Sequence, residues 1–248
     1  VMKRYIQSLF LLVVLSSCSN EIRFENKEFS KKSNLLCKEN CPEIKVRIPY
    51  ATNNSTSADS INKKVFSRIK ELVYLDEKPL ESEDYQVLLS SFINSYETTK
   101  EEIPDATFGW EANIEGTIKY QSEQLINIEI DHYTFTGGAH GYEGLQSLLF
   151  DPNTGKTIPN DALFQNLSEL KNMVEKKFRT KYQIPLNGNI NQTGYLFEDD
   201  TFQLPKNIFF TNDGLLFYYN QYEAAAYVEG PKTLFIPYSS LKNYLVLK

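Results

Sequence analysis

The sequence predicts an α+β fold of two small lobes, in which antiparallel sheets built from long hairpins pack against amphipathic helices. Three observations predict it. Residues 108–120 and 126–130 alternate apolar and polar with period two, and residues 61–73 and 85–96 repeat apolar side chains at helical spacing. The elements run strand, helix, helix, hairpin and then strand, helix, hairpin, strand, which is an α+β order and not a repeated βαβ order.

In chain order, Ile44-Lys45-Val46-Arg47-Ile48 alternates as a half-buried strand does. Ile61, Val65, Ile69, Leu72 and Val73 fall on one helical face, and Pro79 breaks the chain before a second amphipathic helix with Tyr85, Leu88, Leu89, Phe92, Ile93 and Tyr96. Phe108, Trp110, Ala112, Ile114, Ile118 and Tyr120 share the even face of a long strand, with Gly116 the expected bulge. A turn near Ser122 leads to Ile126, Ile128 and Ile130 on one face of its hairpin partner. Leu145 to Phe150 reads as a strand, residues 161–182 as a helix, and the Asn- and Gly-rich residues 185–203 as a long loop. Ile208 to Phe210 and Leu215 to Tyr219 flank Asn212-Asp213-Gly214 as a hairpin whose Asp-Gly supplies positive φ. A short strand at 233–237 and a helical turn at 239–245 close the chain.

The N-terminus carries a different signal. Lys3 and Arg4 precede the apolar run Leu9 to Leu15, followed by Ser16, Ser17 and Cys18. That run is far shorter than the roughly 20 residues a spanning helix needs, and reads as a signal peptide. Leu15-Ser16-Ser17-Cys18 resembles the lipobox of bacterial lipoproteins, which implies cleavage before Cys18, lipid on its thiol and attachment to a membrane outside the cytoplasm. The expected organisation is a signal peptide over 1–17, a lipidated cysteine and flexible tether over 18–42, an N-terminal α+β domain over 43–141 and a C-terminal α+β domain over 142–248. The formal charge is −6 for the 248 residues and becomes −8 once Lys3 and Arg4 leave. An acidic chain with no basic patch repels phosphate backbones, so nucleic acid is not an expected partner.

Cys37 and Cys41 remain after lipidation. In an oxidising compartment they are a candidate disulfide, with free thiols the alternative; a lone C-x3-C lacks the four ligands of a zinc site.

Two segments carry a resemblance. Tyr133-Thr134-Phe135-Thr136-Gly137-Gly138-Ala139-His140-Gly141, together with Tyr222-Glu223-Ala224-Ala225-Ala226-Tyr227-Val228-Glu229-Gly230 and Ile236-Pro237-Tyr238, resembles the paired extracytoplasmic domains of RsiV-type anti-sigma factors. The first of the pair also resembles the domain that precedes the catalytic domain of PdaC-type peptidoglycan deacetylases. The likeness runs from about residue 43 to 245, with Ala226 where relatives often carry proline. It implies an extracytoplasmic fold, and a lysozyme-sensing role in the anti-sigma factors. Their sigma-binding segment and transmembrane helix, and the deacetylase catalytic domain, find no counterpart here, so the resemblance implies fold and location more than activity.

The residues themselves show no catalytic constellation, no metal cluster and no cofactor motif: neither a phosphate loop nor a G-x-S-x-G or H-E-x-x-H pattern occurs. His132 shares the even, inward face with Ile126 to Ile130 and reads as a core histidine satisfied by hydrogen bonds, while Asp131 points away. His140 in its glycine-rich turn, with Tyr222, Glu223 and Tyr227, are the binding candidates. The expected function is that of a non-catalytic envelope lipoprotein that binds a protein, lysozyme among them, or a cell-wall glycan. The alternatives are a structural or assembly lipoprotein without a small ligand, and a hydrolase with an unrecognised site near His140. Replacement of Cys18 by alanine is expected to abolish lipid labelling and membrane fractionation; a C18A protein that still labels with palmitate refutes the anchor.

Overall fold

A computed structural model describes residues 21–37, 40–53, 55–76, 78–104 and 109–246. The signal peptide, Cys18 and Phe108 lie outside the described residues. The fold is α+β, with a five-stranded sheet in order β1 (Phe24–Lys32), β2 (Glu43–Ala51), β3 (Glu111–Gln121), β4 (Ile126–Phe135) and β5 (Tyr142–Phe150). Helices α1 (Thr56–Val73) and α2 (Tyr85–Glu102) cover one face of it. The second lobe holds α3 (Leu167–Lys181), then an antiparallel sheet of β6 (Asn207–Phe210), β7 (Gly214–Tyr219) and β8 (Lys232–Pro237), then the short α4 (Tyr238–Leu241).

The first core follows from the alternation in the sequence. Ile44, Val46 and Ile48 of β2, Ala112 and Ile114 of β3, and Ile126, Ile128 and Ile130 of β4 are buried under the apolar stripes of the helices. Ser55 caps α1 by accepting from Ala58 N at 3.1 Å, and Asp84 caps α2 by accepting from Gln86 N at 2.7 Å. The second core surrounds Phe178, whose ring meets Tyr182, Tyr195, Phe197, Phe202 and Tyr219 at centroid distances of 4.6 to 5.6 Å.

Several expectations need correction. Residues 24–32, expected within a flexible tether, form the edge strand β1, paired antiparallel with β2 from Phe24↔Ala51 to Lys32↔Glu43. Its inward Phe29 stacks on Tyr85 at 4.5 Å, and that contact fixes it to the sheet. Order therefore starts well before residue 43, and Ile22 is already buried. The expected domain boundary after residue 141 also moves, because β5 completes the first sheet against β4. The sheet is mixed: β2 and β3 run parallel, joined by the crossover through α1 and α2. The register shift in β3 lies between Ile118 and Tyr120, while Gly116 stays in register opposite Ile130. The loop over 185–203 is anchored rather than free. Arg179 donates to Pro185 O at 2.8 Å and Gly188 O at 3.2 Å, and Asn191 exchanges two 2.8 Å hydrogen bonds with the Phe197 backbone.

The two lobes are joined along the outer edge of β5. An exposed strand edge leaves N–H and C=O groups unpaired. Here buried asparagines take the place of a sixth strand. Asn220 Oδ1 accepts from Leu145 N and its Nδ2 donates to Leu145 O, both at 2.8 Å. Asn207 Oδ1 accepts from Ser147 N at 2.9 Å, and Ser147 Oγ donates to Ile208 O at 2.6 Å. From within the first sheet Asn127 Oδ1 accepts from Phe210 N at 2.9 Å. Leu149 O accepts from Ile158 N at 2.8 Å. Asn220→Ala strips Leu145 of both partners at a half-buried site, which predicts a loss of about 1–3 kcal/mol. Urea unfolding followed by far-UV circular dichroism checks it; a change within about 0.5 kcal/mol, as for an ordinary surface substitution, refutes the edge-cover account.

Candidate functional site

The two segments singled out in the sequence meet at one end of the sheet. β4 delivers the chain into residues 136–141, where Gly137 at φ 107° and Gly138 at φ 93° make a turn that side-chain-bearing residues resist. From the other lobe, the turn after β7 brings up residues 220–230. The His140 ring stacks on Tyr227 at 4.1 Å with an interplanar angle of 22°, and Tyr222 lies 5.4 Å from Tyr227. Tyr227 Oη donates to Gly141 O at 3.2 Å. His140 Nδ1 lies 2.9 Å from the same oxygen. A carbonyl only accepts, so that nitrogen carries the proton.

Tyr222 is the outlying residue. Its backbone sits at φ 65°, a left-handed conformation that bulky side chains avoid, and its side chain is 57% exposed. The turn is held by Glu223, whose carboxylate accepts from Lys206 N at 2.6 Å and from Asn220 N at 2.9 Å, while Glu223 N donates to Asn220 O at 3.1 Å. Burial raises the Glu223 carboxyl above its ordinary range, against the pull of those two N–H donors. Of the four binding candidates, His140, Tyr222 and Tyr227 form an open aromatic platform, and Glu223 is the clamp beneath it. The sequence shows the Glu but not that its oxygens turn inward onto backbone 17 residues away in the chain.

His132 is in the core, as its register position requires, with 1% of its surface exposed. The expectation that hydrogen bonds satisfy it is corrected: neither ring nitrogen has a partner. The ring packs 5.6 Å from Tyr142, and opposite it stands Gly144. A Cβ at Gly144 would lie 2.7 Å from Asn220 Oδ1 and 3.0 Å from His132 Nε2, so glycine is what lets the asparagine reach the strand edge. Cys37 and Cys41 are joined, with Cα atoms 5.6 Å apart, in the connection between β1 and β2. That connection and the His140 loop lie at the same end of the five-stranded sheet, as the pairing of β1 to β4 dictates.

Among the described residues no group of three metal-ligating side chains occurs, and no hydrogen bond links His140 to a serine, threonine or carboxylate. The open face of the sheet holds a shallow cavity of about 730 Å³ lined by Lys45, Arg47, Asn113, Glu115, Asp131 and Tyr133 among others, with Arg47 and Glu115 ion-paired across it.

Two family models match, one in each half of the chain. Residues 36–143 match the family described as Deacetylase PdaC, and residues 156–239 match Protein of unknown function (DUF3298). The chain thus joins a segment similar to the PdaC family to a segment similar to the DUF3298 family. A crystal structure of a DUF3298 family member from Bacteroides fragilis superposes with a TM-score of 0.68 at 20% identity, over 90% of this chain and 93% of that one. A DUF3298 family protein from Pseudomonas aeruginosa superposes with a TM-score of 0.63 at 19% identity, over 91% and 95%. At such identities the likeness is one of fold. No curated protein matches the chain. Between them the two matched segments contain every platform residue: His140 lies in the PdaC-type part, Tyr222 and Tyr227 in the DUF3298 part.

Burial lowers the His132 pKa to about 4 from an ordinary 6.5. The unfolded chain therefore takes up this proton first as pH falls, so stability is full above pH 6.5 and is lost between about 6.5 and 4. The expected loss through this residue by pH 4.5 is about 2–3 kcal/mol. Urea unfolding of the wild type and of His132→Leu at pH 7 and 4.5 checks it: the variant is expected to show the smaller loss, and equal losses refute the assignment.

Proposed function

We propose that this protein is a lipid-anchored, non-catalytic binding protein of the bacterial cell envelope, which recognises an extracytoplasmic protein, lysozyme foremost, or a cell-wall glycan, through the His140–Tyr222–Tyr227 platform. The observation that carries this reading is Tyr222: a large exposed aromatic side chain held in a left-handed backbone conformation. Such a conformation costs about 1–3 kcal/mol, and strain of this kind collects at ligand-contacting positions. Exposed aromatic rings on a rigid support are what binding hot spots are made of.

The geometry of the anchor supports the same reading. Ile22 is buried and its carbonyl accepts from Gln121 Nε2 at 2.9 Å, at the end of the sheet opposite the platform. Three residues lie between it and Cys18, four Cα–Cα steps with a reach of at most about 14 Å, shorter than the 25–30 Å expected of a tether through residue 42. The ten residues of β4 span about 33 Å from the tether end toward the platform loop. A lipid on Cys18 thus stands the sheet on the membrane and presents the three rings to the space beyond. The mature charge of −8 favours encounter with basic proteins, and no helix among the described residues is long and apolar enough to cross a membrane.

The test is titration of the mature protein with lysozyme, with soluble peptidoglycan fragments and with an unrelated protein of similar basicity, at low salt and near 0.15 M, where exposed charges are screened beyond about 8 Å. Specific recognition leaves the lysozyme or glycan complex in place at the higher salt. Tyr222→Asn is expected to weaken it at least about tenfold. Because asparagine tolerates the left-handed conformation, the same variant is expected to fold with unchanged stability or up to about 1 kcal/mol more. If the basic control binds alike and releases alike, or the variant binds as the wild type does, the reading fails.

A further inference from the structure

We propose that the apolar cleft at the tether end of the molecule holds one acyl chain of the lipid carried on Cys18. The proposal rests on the reading of Cys18 as the anchor and says where part of that lipid lies. The cleft, of about 380 Å³, is walled by Tyr120, Leu125, Phe210, Tyr238, Leu241 and Leu245. It lies between the lobes: Tyr120 and Leu125 belong to the β3–β4 hairpin, Phe210 ends β6, Tyr238 and Leu241 are on α4, and Leu245 follows it. Tyr238 Oη donates to Thr211 O at 2.8 Å, so its polar end is already satisfied. Of the residues lining the cleft only Lys242 is charged, and it is exposed.

Strand register sets the cleft beside Ile22. Ile118 pairs with Ile128 and packs on the first core, and a period of two would put Tyr120 on the same face. The register shift between them reverses this. Tyr120 stands opposite Asn127 and turns to the second lobe, where its ring lies 5.7 Å from Phe210. Gln121, opposite Ile126, takes the helix-covered face instead. Gln121 is the residue whose amide holds the Ile22 carbonyl, at 2.9 Å. Two successive residues at one strand end therefore hold Ile22 on one face and wall the cleft on the other.

What fills the cleft follows from what can reach it. Cys18 is four Cα–Cα steps from Ile22, a reach of at most about 14 Å, while packed layers on a sheet are about 10 Å apart. A lipid on Cys18 therefore arrives at the cleft with no change in the fold. An acyl chain is apolar along its whole length, as the six walls are. Each methylene moved from water into such walls favours binding about fourfold. So short a link also presents the chain at an effective concentration of about millimolar. A soluble partner is a poorer occupant, because the anchor turns this end of the molecule to the membrane. An ionic ligand is poorer still, with one exposed lysine as its only counter-charge.

The experiment uses ¹⁵N-labelled mature protein made without lipid. With Cys37 and Cys41 joined, Cys18 is its only thiol. That thiol is alkylated with N-octylmaleimide or with N-ethylmaleimide. The octyl adduct is expected to shift the backbone amides of Leu125, Leu241 and Leu245, and the ethyl adduct to leave them unmoved. On the ethyl adduct n-hexanol and n-octanol are expected to shift the same amides saturably, n-octanol about fifteenfold more tightly for its two extra methylenes. The octyl adduct is expected to bind n-octanol at least about tenfold more weakly, its own chain being in place. Leu245→Glu sets a charge in the wall and is expected to abolish both effects; Gln165→Trp, at an exposed position lining the cleft, serves if that variant does not fold. Adducts that behave alike, alcohol binding that the octyl chain does not displace, or shifts that persist in the variant overturn the proposal. The alkyl chain is attached chemically, so the two readings fail separately: no palmitate on the exported protein overturns the anchor, and unmoved amides in the octyl adduct overturn the cleft's role with the anchor intact.

Discussion

The structure hangs on the need to satisfy the outer edge of β5. That strand offers a row of backbone donors and acceptors that neither helix of the first lobe can reach, because the helices lie on the face and not at the edge. Asn220 and Asn207 from the second lobe supply side-chain amides in their place, and Asn127 answers from the first. These amides are buried, so each needs its partner, and neither lobe folds with full hydrogen bonding while the other is away. The same turn that carries Asn220 continues into Gln221, Tyr222 and the clamp Glu223. Covering the edge and building the site are therefore one act of folding.

Three departures from ideal structure lie at this place. His132 has no partner for either nitrogen, Gln221 has none for its oxygen, and Tyr222 holds a left-handed backbone. All three lie within or beside the junction; in the first lobe the helices have capped starts, and Tyr85 Oη and Trp110 Nε1 are buried there without a partner. Natural proteins tolerate such local conflict where contacts with something else resolve it, and the rest of the fold must supply the stability that these positions lack.

How much of this was legible in the sequence follows from which contacts are local. The alternation from Trp110 to Tyr120 and from Ile126 to Ile130, and the helical stripes of α1 and α2, report burial within one element, and they predicted those elements well. β1 was not legible, because an edge strand protects itself with charge, and Lys27, Glu28, Lys31 and Lys32 mask the two phenylalanines that bind it. The parallel pairing of β2 with β3 and the transfer of β5 to the first sheet depend on partners distant in the chain, which no local pattern records. Asp213-Gly214 turns the predicted hairpin, yet without positive φ; Thr211 closes it with its hydroxyl accepting from Gly214 N at 3.2 Å. His140, Tyr222 and Tyr227 stood out through their unusual local surroundings.

The edge strand β1 has a mechanical consequence. Ile22 and the His140–Tyr227 ring stack lie at opposite ends of the sheet, so under the proposed anchoring a pull on the rings would load the molecule along its strands. β1 meets that load first, and its nine pairings with β2 face it side by side. They must give way together, in shear, rather than one after another as in peeling. With the proposed lipid on Cys18, extraction would be resisted through the rate at which a whole ladder ruptures, so that a grip at the far end would be transmitted to the anchor and not absorbed by unravelling.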